Sequence, residues 1–262
     1  MSKLVLKILF HSFYFFKVLL YNIYIMFKNK KCLIRQPAGL GDIFYLQKMA
    51  CHYYDLGYEI IWPVKEPYLY LKDYLNVGKI NFCCEDSDFE FKEIFYTDNF
   101  IECDEFLFLP LQKFVMKTKY PSIYMSDDNW QKFVTIERNL AREYKCFKEL
   151  NNNFDEFIFV NDIFASPPEI IKLNLDIKSK FTSAIYNKSE FINKYNMFDY
   201  LSILEKAKEI HTIETSFCYL IEILSTTDKL FMYPRKIDGE KQHSDFKYIE
   251  GIYQKRWKHL ED

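Results

Sequence analysis

Beyond the N-terminal segment, the spacing of apolar and polar residues predicts a strand, a loop, a helix and a second strand, in that order. A short apolar run at Lys31–Arg35 predicts a buried strand, and the loop QPAGLGD follows it at 36–42. Residues 43–56 carry apolar side chains at helical spacing, and Gly57 stands where a helix C′ glycine is common. The run YEIIWPV at 58–64 predicts the next strand. This βαβ order predicts a parallel sheet with a right-handed crossover.

The rest of the chain repeats the same alternation of strands and helices. The turn residues Asn151–Asn153 separate two such series, so we place a boundary near residue 152. The sequence thus predicts an α/β fold with two Rossmann-like halves, at 31–152 and 153–262. The predicted strands lie at 105–109, 156–160, 211–214 and 230–233, and the predicted helices at 130–150, 198–210, 215–224 and 246–259.

The N-terminal segment, residues 1–30, carries a second pattern. Residues 4–27 are mostly apolar, and a span of about 20 apolar residues would cross a bilayer. Three interpretations stay open: a helix lying in a membrane interface, a spanning signal-anchor with snorkelling lysines, and an extra helix of a soluble protein. A removed signal peptide is not expected, because no small-residue cleavage site follows. The polar stripe at three- and four-residue steps comprises Lys3, Lys7, His11, Tyr14, Lys17, Tyr21, Tyr24 and Lys28.

Composition excludes several classes of protein. Apolar residues make up 49% of the chain and charged residues 27%, which excludes intrinsic disorder. A net charge of −2 argues against a dedicated nucleic-acid binder. The seven cysteines are an odd number without a CxxC pair, and the five histidines lack metal-ligand spacing. We therefore expect a reducing, cytoplasmic compartment, a membrane contact through residues 1–31 as the one alternative location, and no metal or other cofactor.

Aromatic side chains are unusually frequent. The 26 phenylalanines, 21 tyrosines and three tryptophans make up 19% of the chain. AT-rich codons explain part of this excess, since lysine, asparagine and isoleucine abound as well. Large rings also bury a large area per residue, so they would help a short chain to fill two cores.

The first loop whose residues suit ligand binding or catalysis is Gln36–Asp42. In an open α/β sheet, ligands bind outside the carboxyl ends of the strands, where loops enter helices. Gly39 and Gly41 permit close backbone approach there, and the free amides of the next helix favour an anion or a polar ligand. Asp42 has two interpretations at this stage: an N-cap of the helix, or a carboxylate that acts as a general base in a cleft.

The second loop is Glu214-Thr215-Ser216. Hydroxyls and amides at a helix N-terminus can hold a phosphate, although Thr215 or Ser216 would equally serve as an N-cap. Arg235 follows the strand at 230–233, a position that suits bidentate phosphate recognition or plain solvation.

Two stretches resemble a known family. The stretches LIRQPAGLGDIFYLQKMA and FDYLSILEKAKEIHTIETSFCYLIEIL resemble the signature regions of GT-B-fold, heptosyltransferase-like glycosyltransferases. The chain also resembles the short glycosyltransferases of this kind that are found in large DNA viruses and phages. The resemblance covers 31–64 and 196–235. Within it, Glu214 stands at the position of a family aspartate, and Tyr219 at that of a common histidine.

This resemblance implies a reduced GT-B fold, in which two halves face a cleft. It implies transfer of a sugar from a nucleotide-sugar donor to a hydroxyl of a glycan or other acceptor, without a metal. Asp42 would be the candidate base, and Glu214 would hold donor hydroxyls. The acceptor side of the cleft would comprise Arg35, Gln36, Gly39, Leu40 and Gly41, and the donor side His211, Glu214, Thr215, Ser216, Tyr219, Tyr233 and Arg235.

Two further functions stay open. The same fold would serve a non-catalytic protein that binds a nucleotide or a carbohydrate. Alternatively, residues 1–31 would be the functional element of a membrane-surface scaffold.

Overall fold

The computed structural model describes most of the chain beyond the N-terminal segment. The predicted helix at 4–27 and the loop residue Gln36 lie outside the described residues. The described ranges are 30–35, 39–84, 100–103, 106–110, 119–122, 125–151, 155–166, 169–187, 194–237, 240–241 and 251–260.

The first half of the chain builds a five-stranded sheet. Its strands are β1 (Lys30–Arg35), β2 (Tyr58–Val64), β3 (Ile80–Cys84), β4 (Phe100–Cys103) and β5 (Phe106–Pro110), in the order β3-β2-β1-β4-β5. The first three strands are parallel, and β4 and β5 join the sheet antiparallel. The predicted βαβ unit is confirmed, since Cys32 pairs with Ile60 in parallel register.

The second half builds a parallel five-stranded sheet with two small hairpins beside it. Parallel pairing places β10 between β6 and β11, with the remaining strands at the two edges, in the order β14-β11-β10-β6-β9. The strands are β6 (Ile158–Asn161), β7 (Ile163–Ser166), β8 (Glu169–Lys172), β9 (Ala184–Tyr186), β10 (Glu209–Ile213), β11 (Leu230–Tyr233), β12 (Lys236–Ile237), β13 (Glu240–Lys241) and β14 (Trp257–His259).

Short helices connect and cover these sheets. The α-helices are α1 (Leu40–Tyr45), α2 (Gln47–Asp55), α3 (Lys119–Ser122), α4 (Leu140–Leu150), α5 (Leu201–Lys206) and α6 (Ser216–Ile223). The 3₁₀ segments are Glu66–Asp73, Trp130–Phe133 and Met197–Tyr200. Within the described part of the chain, none of the helices has the length and apolar character needed to cross a bilayer.

One continuous cluster of buried apolar side chains joins the two sheets. At its centre, Trp130 lies between Tyr45 of the first half and Tyr219 of the second, with ring centroids 5.8 Å away in both cases. The Trp130 indole also donates a hydrogen bond to the Ile252 carbonyl, 2.9 Å away. Large rings thus fill the space between the halves, and their tilted and edge-on contacts stabilise the packing beyond the burial of apolar area.

Three predicted helices differ from the structure. The helix expected over 198–210 ends at Lys206, and residues 209–210 already belong to β10. The helix expected over 246–259 is wrong across 251–259, where a turn at Gly251 leads into the short strand β14. The helix expected over 130–150 is a 3₁₀ turn followed by α4, because extended residues at 134–139 interrupt it. Amphipathic spacing alone does not show whether such a segment is helical, because burial by neighbouring elements decides its conformation.

Candidate functional site

Asp42 lies in the first turn of α1 and does not cap it. Gly39 occupies the N-cap position, and none of the side chains that the structure describes caps this helix. The structure therefore does not support the interpretation of Asp42 as an N-cap. A carboxylate in the first turn is nevertheless favoured by the helix dipole.

The Asp42 carboxylate is paired with a buried lysine. Lys119 Nζ on α3 donates to Asp42 Oδ1 at 2.5 Å, and the two side chains are 2% and 20% exposed. Desolvation makes a buried ammonium costly unless an anion accompanies it, so this pair holds both side chains in place. Asp42 keeps some solvent access, and it remains the more reachable member of the pair.

The two predicted loops meet because α1 packs against α6. A methyl group at Gly41 would lie 2.7 Å from Cε2 of Tyr219 on α6, closer than real Cβ atoms approach. Burial, and then the Glu214 carboxylate, raise the pKa of Tyr219 well above its ordinary value, and Asp42 adds a smaller contribution. Asp42 and Glu214 therefore act electrostatically on the same ring from the two halves of the chain.

Glu214 follows β10 and is 9% exposed. Its carboxylate has no hydrogen-bond partner among the residues that the structure describes. Burial raises its pKa above the ordinary value, and Arg235 opposes that shift. A buried carboxylate without a hydrogen-bond donor is energetically unfavourable, and it is suited to accept hydrogen bonds from ligand hydroxyl groups.

Arg235 is anchored beside the second loop. Its Nε donates to the Glu214 carbonyl at 2.5 Å, and its guanidinium lies over the Phe164 ring, 5.5 Å from the centroid. The side chain is half-buried, so the backbone and the ring orient its positive charge beside the Glu214 loop.

Thr215 and Ser216 have different roles. Thr215 is the N-cap of α6, and its hydroxyl accepts from Phe217 N at 3.4 Å. The Thr215 hydroxyl also accepts a hydrogen bond from Asn161 Nδ2 at 3.0 Å. The same Nδ2 group donates to Thr212 Oγ1, also at 3.0 Å. Ser216 is the half-buried first residue of α6, and its hydroxyl makes no hydrogen bond to the described residues. Its hydroxyl is thus available to a ligand at the helix N-terminus.

His211 and Tyr233 lie on the other face of the second sheet. Successive side chains of a strand point to opposite faces, so His211 and Thr212 diverge. Thr212 shares the Asn161 network with Thr215 at the start of α6, whereas His211 bonds to Tyr233. The structure therefore separates the side chains of these two residues from the Glu214 loop, with which the resemblance groups them, although the Tyr233 carbonyl accepts a hydrogen bond from Glu214 N at 3.1 Å.

The remaining predicted residues flank the first loop. Arg35 is exposed at the end of β1 and makes contacts of its own. Leu40 packs, half-buried, against the core, and a methyl group at Gly39 would meet nothing within 4 Å. Among the described residues, no three histidine, cysteine or acidic side chains are grouped closely enough to hold a metal ion.

Sequence reasoning missed Lys119 and Tyr253. Lys119 lies in a stretch without a clear periodic pattern, and only its depth of burial distinguishes it from other lysines. The hydroxyl of Tyr253 is buried, and the Tyr253 ring packs edge-on against Tyr219, with ring centroids 5.2 Å apart. Its location in a segment predicted as helix concealed this role.

Comparisons with protein-family models, curated proteins and solved structures found no match for this chain.

Proposed function

We propose that the protein is a glycosyltransferase, with two α/β halves arranged as in a reduced GT-B fold. It would move a sugar from a nucleotide-sugar donor to an acceptor hydroxyl. The observation that carries the proposal is the packing of α1 on α6, which brings the Asp42 loop of one half to the Glu214 loop of the other. Ligand sites of α/β proteins form at such loops beyond the carboxyl ends of parallel strands.

Asp42 acts as the base in this proposal. The acceptor hydroxyl gives its proton to the Asp42 carboxylate while its oxygen attacks the anomeric carbon. The bond from that carbon to the donor diphosphate breaks, and its electron pair leaves with the diphosphate. Lys119 orients the carboxylate through Oδ1, and the 20% exposure of Asp42 leaves a route for the acceptor.

The donor would be held by the second loop. Glu214 accepts hydrogen bonds from donor hydroxyls, because its carboxylate has no hydrogen-bond donor among the described residues. The amides at the N-terminus of α6 and the guanidinium of Arg235 offset the negative charge on the leaving diphosphate.

A donor screen tests this proposal. Full-length protein is incubated with UDP-, GDP- and ADP-sugars, while thermal shift reports binding and product analysis reports transfer or hydrolysis. We expect one nucleotide to raise the melting temperature and Asp42→Asn to abolish turnover while binding persists. The exposed Asp55→Asn is the matched control and should behave as wild type. No shift and no turnover with any donor would overturn the proposal.

A second candidate function is non-catalytic binding of a nucleotide or carbohydrate. The observation in its favour is the direct bond from Lys119 to Asp42 Oδ1, which occupies part of the proposed base. In that case the thermal shift would appear with a nucleotide or sugar, and the wild-type protein would show no turnover.

A further inference from the structure

The face of the second sheet opposite α6 carries buried polar side chains. Parallel sheets in α/β proteins usually present apolar side chains on both faces. Here Glu209, His211 and Tyr233 share one face and are 6%, 1% and 5% exposed. His211 Nδ1 lies 2.9 Å from the Tyr233 hydroxyl, and His211 Nε2 lies 3.4 Å from Glu209 Oε2.

The charges of this network fix the direction of its hydrogen bonds. Burial would raise the pKa of Glu209, but hydrogen bonds from Ser179, His211 and Lys229 lower it below the ordinary value. Burial lowers the pKa of His211, which is therefore neutral at pH 7. An ionised carboxylate only accepts hydrogen bonds, so His211 Nε2 carries the proton and Nδ1 accepts from Tyr233. Because the Tyr233 hydroxyl donates its hydrogen to His211, its oxygen can only accept further hydrogen bonds.

A cavity of about 440 Å³ adjoins this network. A segment without helix or strand, at 173–178, lies on the face where many α/β proteins place a helix, and it lines the cavity together with residues of β10 and β11. Small-molecule sites commonly have about 300–1,000 Å³. Leu173 and Leu260 supply apolar wall, and Asn174, Asp176 and Lys178 supply polar groups.

The polar side chains at the rim of the cavity, Asp176 and Lys178, limit which kinds of ligand would bind. Asp176 and Lys178 are 83% and 87% exposed, and their charged groups lie 3.3 Å apart. Because the two charges offset each other, a cation or an anion gains little here. A molecule with two or more hydroxyl groups satisfies all three polar partners, since one hydroxyl donates to Tyr233 while another donates to Asp176 and accepts from Lys178.

We propose that this cavity is a second binding site, which takes a small hydroxyl-bearing molecule of the monosaccharide or polyol type. The ligand donates a hydrogen bond to the Tyr233 oxygen, rests its apolar face on the leucines, and exchanges hydrogen bonds with the rim. This site lies on the face of the sheet opposite α6, so it is distinct from the site proposed around Asp42 and Glu214.

Binding of defined probes to the full chain tests this site. D-glucose, D-galactose, D-mannose and myo-inositol are titrated separately, with saturation-transfer NMR and calorimetry as readouts. We expect at least one probe to bind, and Tyr233→Phe to weaken its affinity by about fivefold or more through loss of one hydrogen bond to the ligand. Tyr186→Phe, at an exposed side chain of the edge strand β9, is the matched control and should leave affinity unchanged.

Two further variants complete the test. Asp176→Asn alters only the exposed rim, so it keeps the fold and should weaken the same probe. Glu214→Gln should leave that probe unaffected, because it changes the other site. The proposal is overturned if no probe binds, if Tyr233→Phe and Asp176→Asn bind as wild type, or if only Glu214→Gln weakens binding. None of these outcomes bears on nucleotide-sugar turnover, which is measured separately.

Discussion

Gly41 lies directly against the ring of Tyr219, so that a methyl group on Gly41 would come within 2.7 Å of Cε2 and 3.0 Å of Cδ2. Gly41 belongs to the first helix of one half and Tyr219 to the helix that follows the Glu214 loop of the other. The glycine is therefore a condition for close packing between the halves. Its backbone conformation is ordinary helix, so close approach is what requires it.

Gly41→Ala should lower the free energy of unfolding by about 1–3 kcal/mol, because the added methyl forces the Tyr219 ring or α1 to move. Gly39→Ala is the matched control, with a φ of −58° and no atom of the described residues within 4 Å of the new methyl. Its effect should stay below about 1 kcal/mol. Chemical denaturation of both variants checks this prediction, and equal losses would contradict it.

The Asp42–Lys119 pair should show energetic coupling. Asp42→Asn leaves a 2%-exposed ammonium without this carboxylate, whereas Lys119→Met leaves a 20%-exposed carboxylate that water can reach. We expect Asp42→Asn to cost more, and a double-mutant cycle to give a coupling free energy of about 1–3 kcal/mol. Denaturant unfolding of the four proteins measures it. Strict additivity of the two changes would show that the pair does not stabilise the fold.

Glu214→Gln should stabilise the protein at neutral pH and impair donor binding. Burial raises the pKa of Glu214 in the folded chain above its ordinary value of 4.5. As the pH rises past 4.5, the unfolded chain releases this proton first, so wild-type stability declines up to the folded pKa. The variant lacks that decline. Melting temperatures between pH 4 and 8, with nucleotide titrations alongside, check both effects.

Substitutions at Thr215 and Ser216 should have different effects, one on the stability of the fold and the other on donor binding. Thr215→Ala removes the cap of α6 and one partner of Asn161, so it should cost about 1–2 kcal/mol. Ser216→Ala removes a hydroxyl without a hydrogen bond to the described residues, so unfolding should change little. Under the proposed function, Ser216→Ala weakens donor binding severalfold. Equal stability losses in the two variants would contradict the assignment.

His211→Phe should alter the pH dependence of stability. Burial lowers the pKa of His211 below its ordinary value of 6.5, although Glu209 opposes the shift, and Lys229, Tyr233 and Asp176 surround this network. As the pH falls below 6.5, the unfolded chain takes up a proton that the folded chain resists, so wild-type stability decreases.

The variant lacks this loss, so the advantage of wild type over His211→Phe should shrink from pH 7.5 to 5.5. Thermal unfolding across that range measures it. The exposed His52→Phe reports the background effect of removing an imidazole. A difference between wild type and His211→Phe that stays constant with pH would refute the prediction.

Local sequence patterns predicted the elements that local interactions define. The strand at 58–64 has the predicted bounds, and Gly57 ends the preceding helix with a φ of +87° that suits glycine. The Asp42 and Glu214 loops were also recognisable, because each follows an apolar strand run and precedes a helix. The end of the chain was predicted incorrectly, since Trp257 is in a strand that pairs with β11. Pairing partners far along the chain are not visible in a local pattern.

The sequence by itself determined the α/β character of this protein, parallel strands in both halves and the two loops that we propose to carry its chemistry. Only the tertiary structure decided which of the candidate side chains lie together. It placed Lys119 against Asp42 and Tyr219 against Gly41, and it moved His211 to the opposite face from Thr215. The physical reason is that period and propensity act over a few residues, whereas burial and pairing depend on segments that are far apart in the chain.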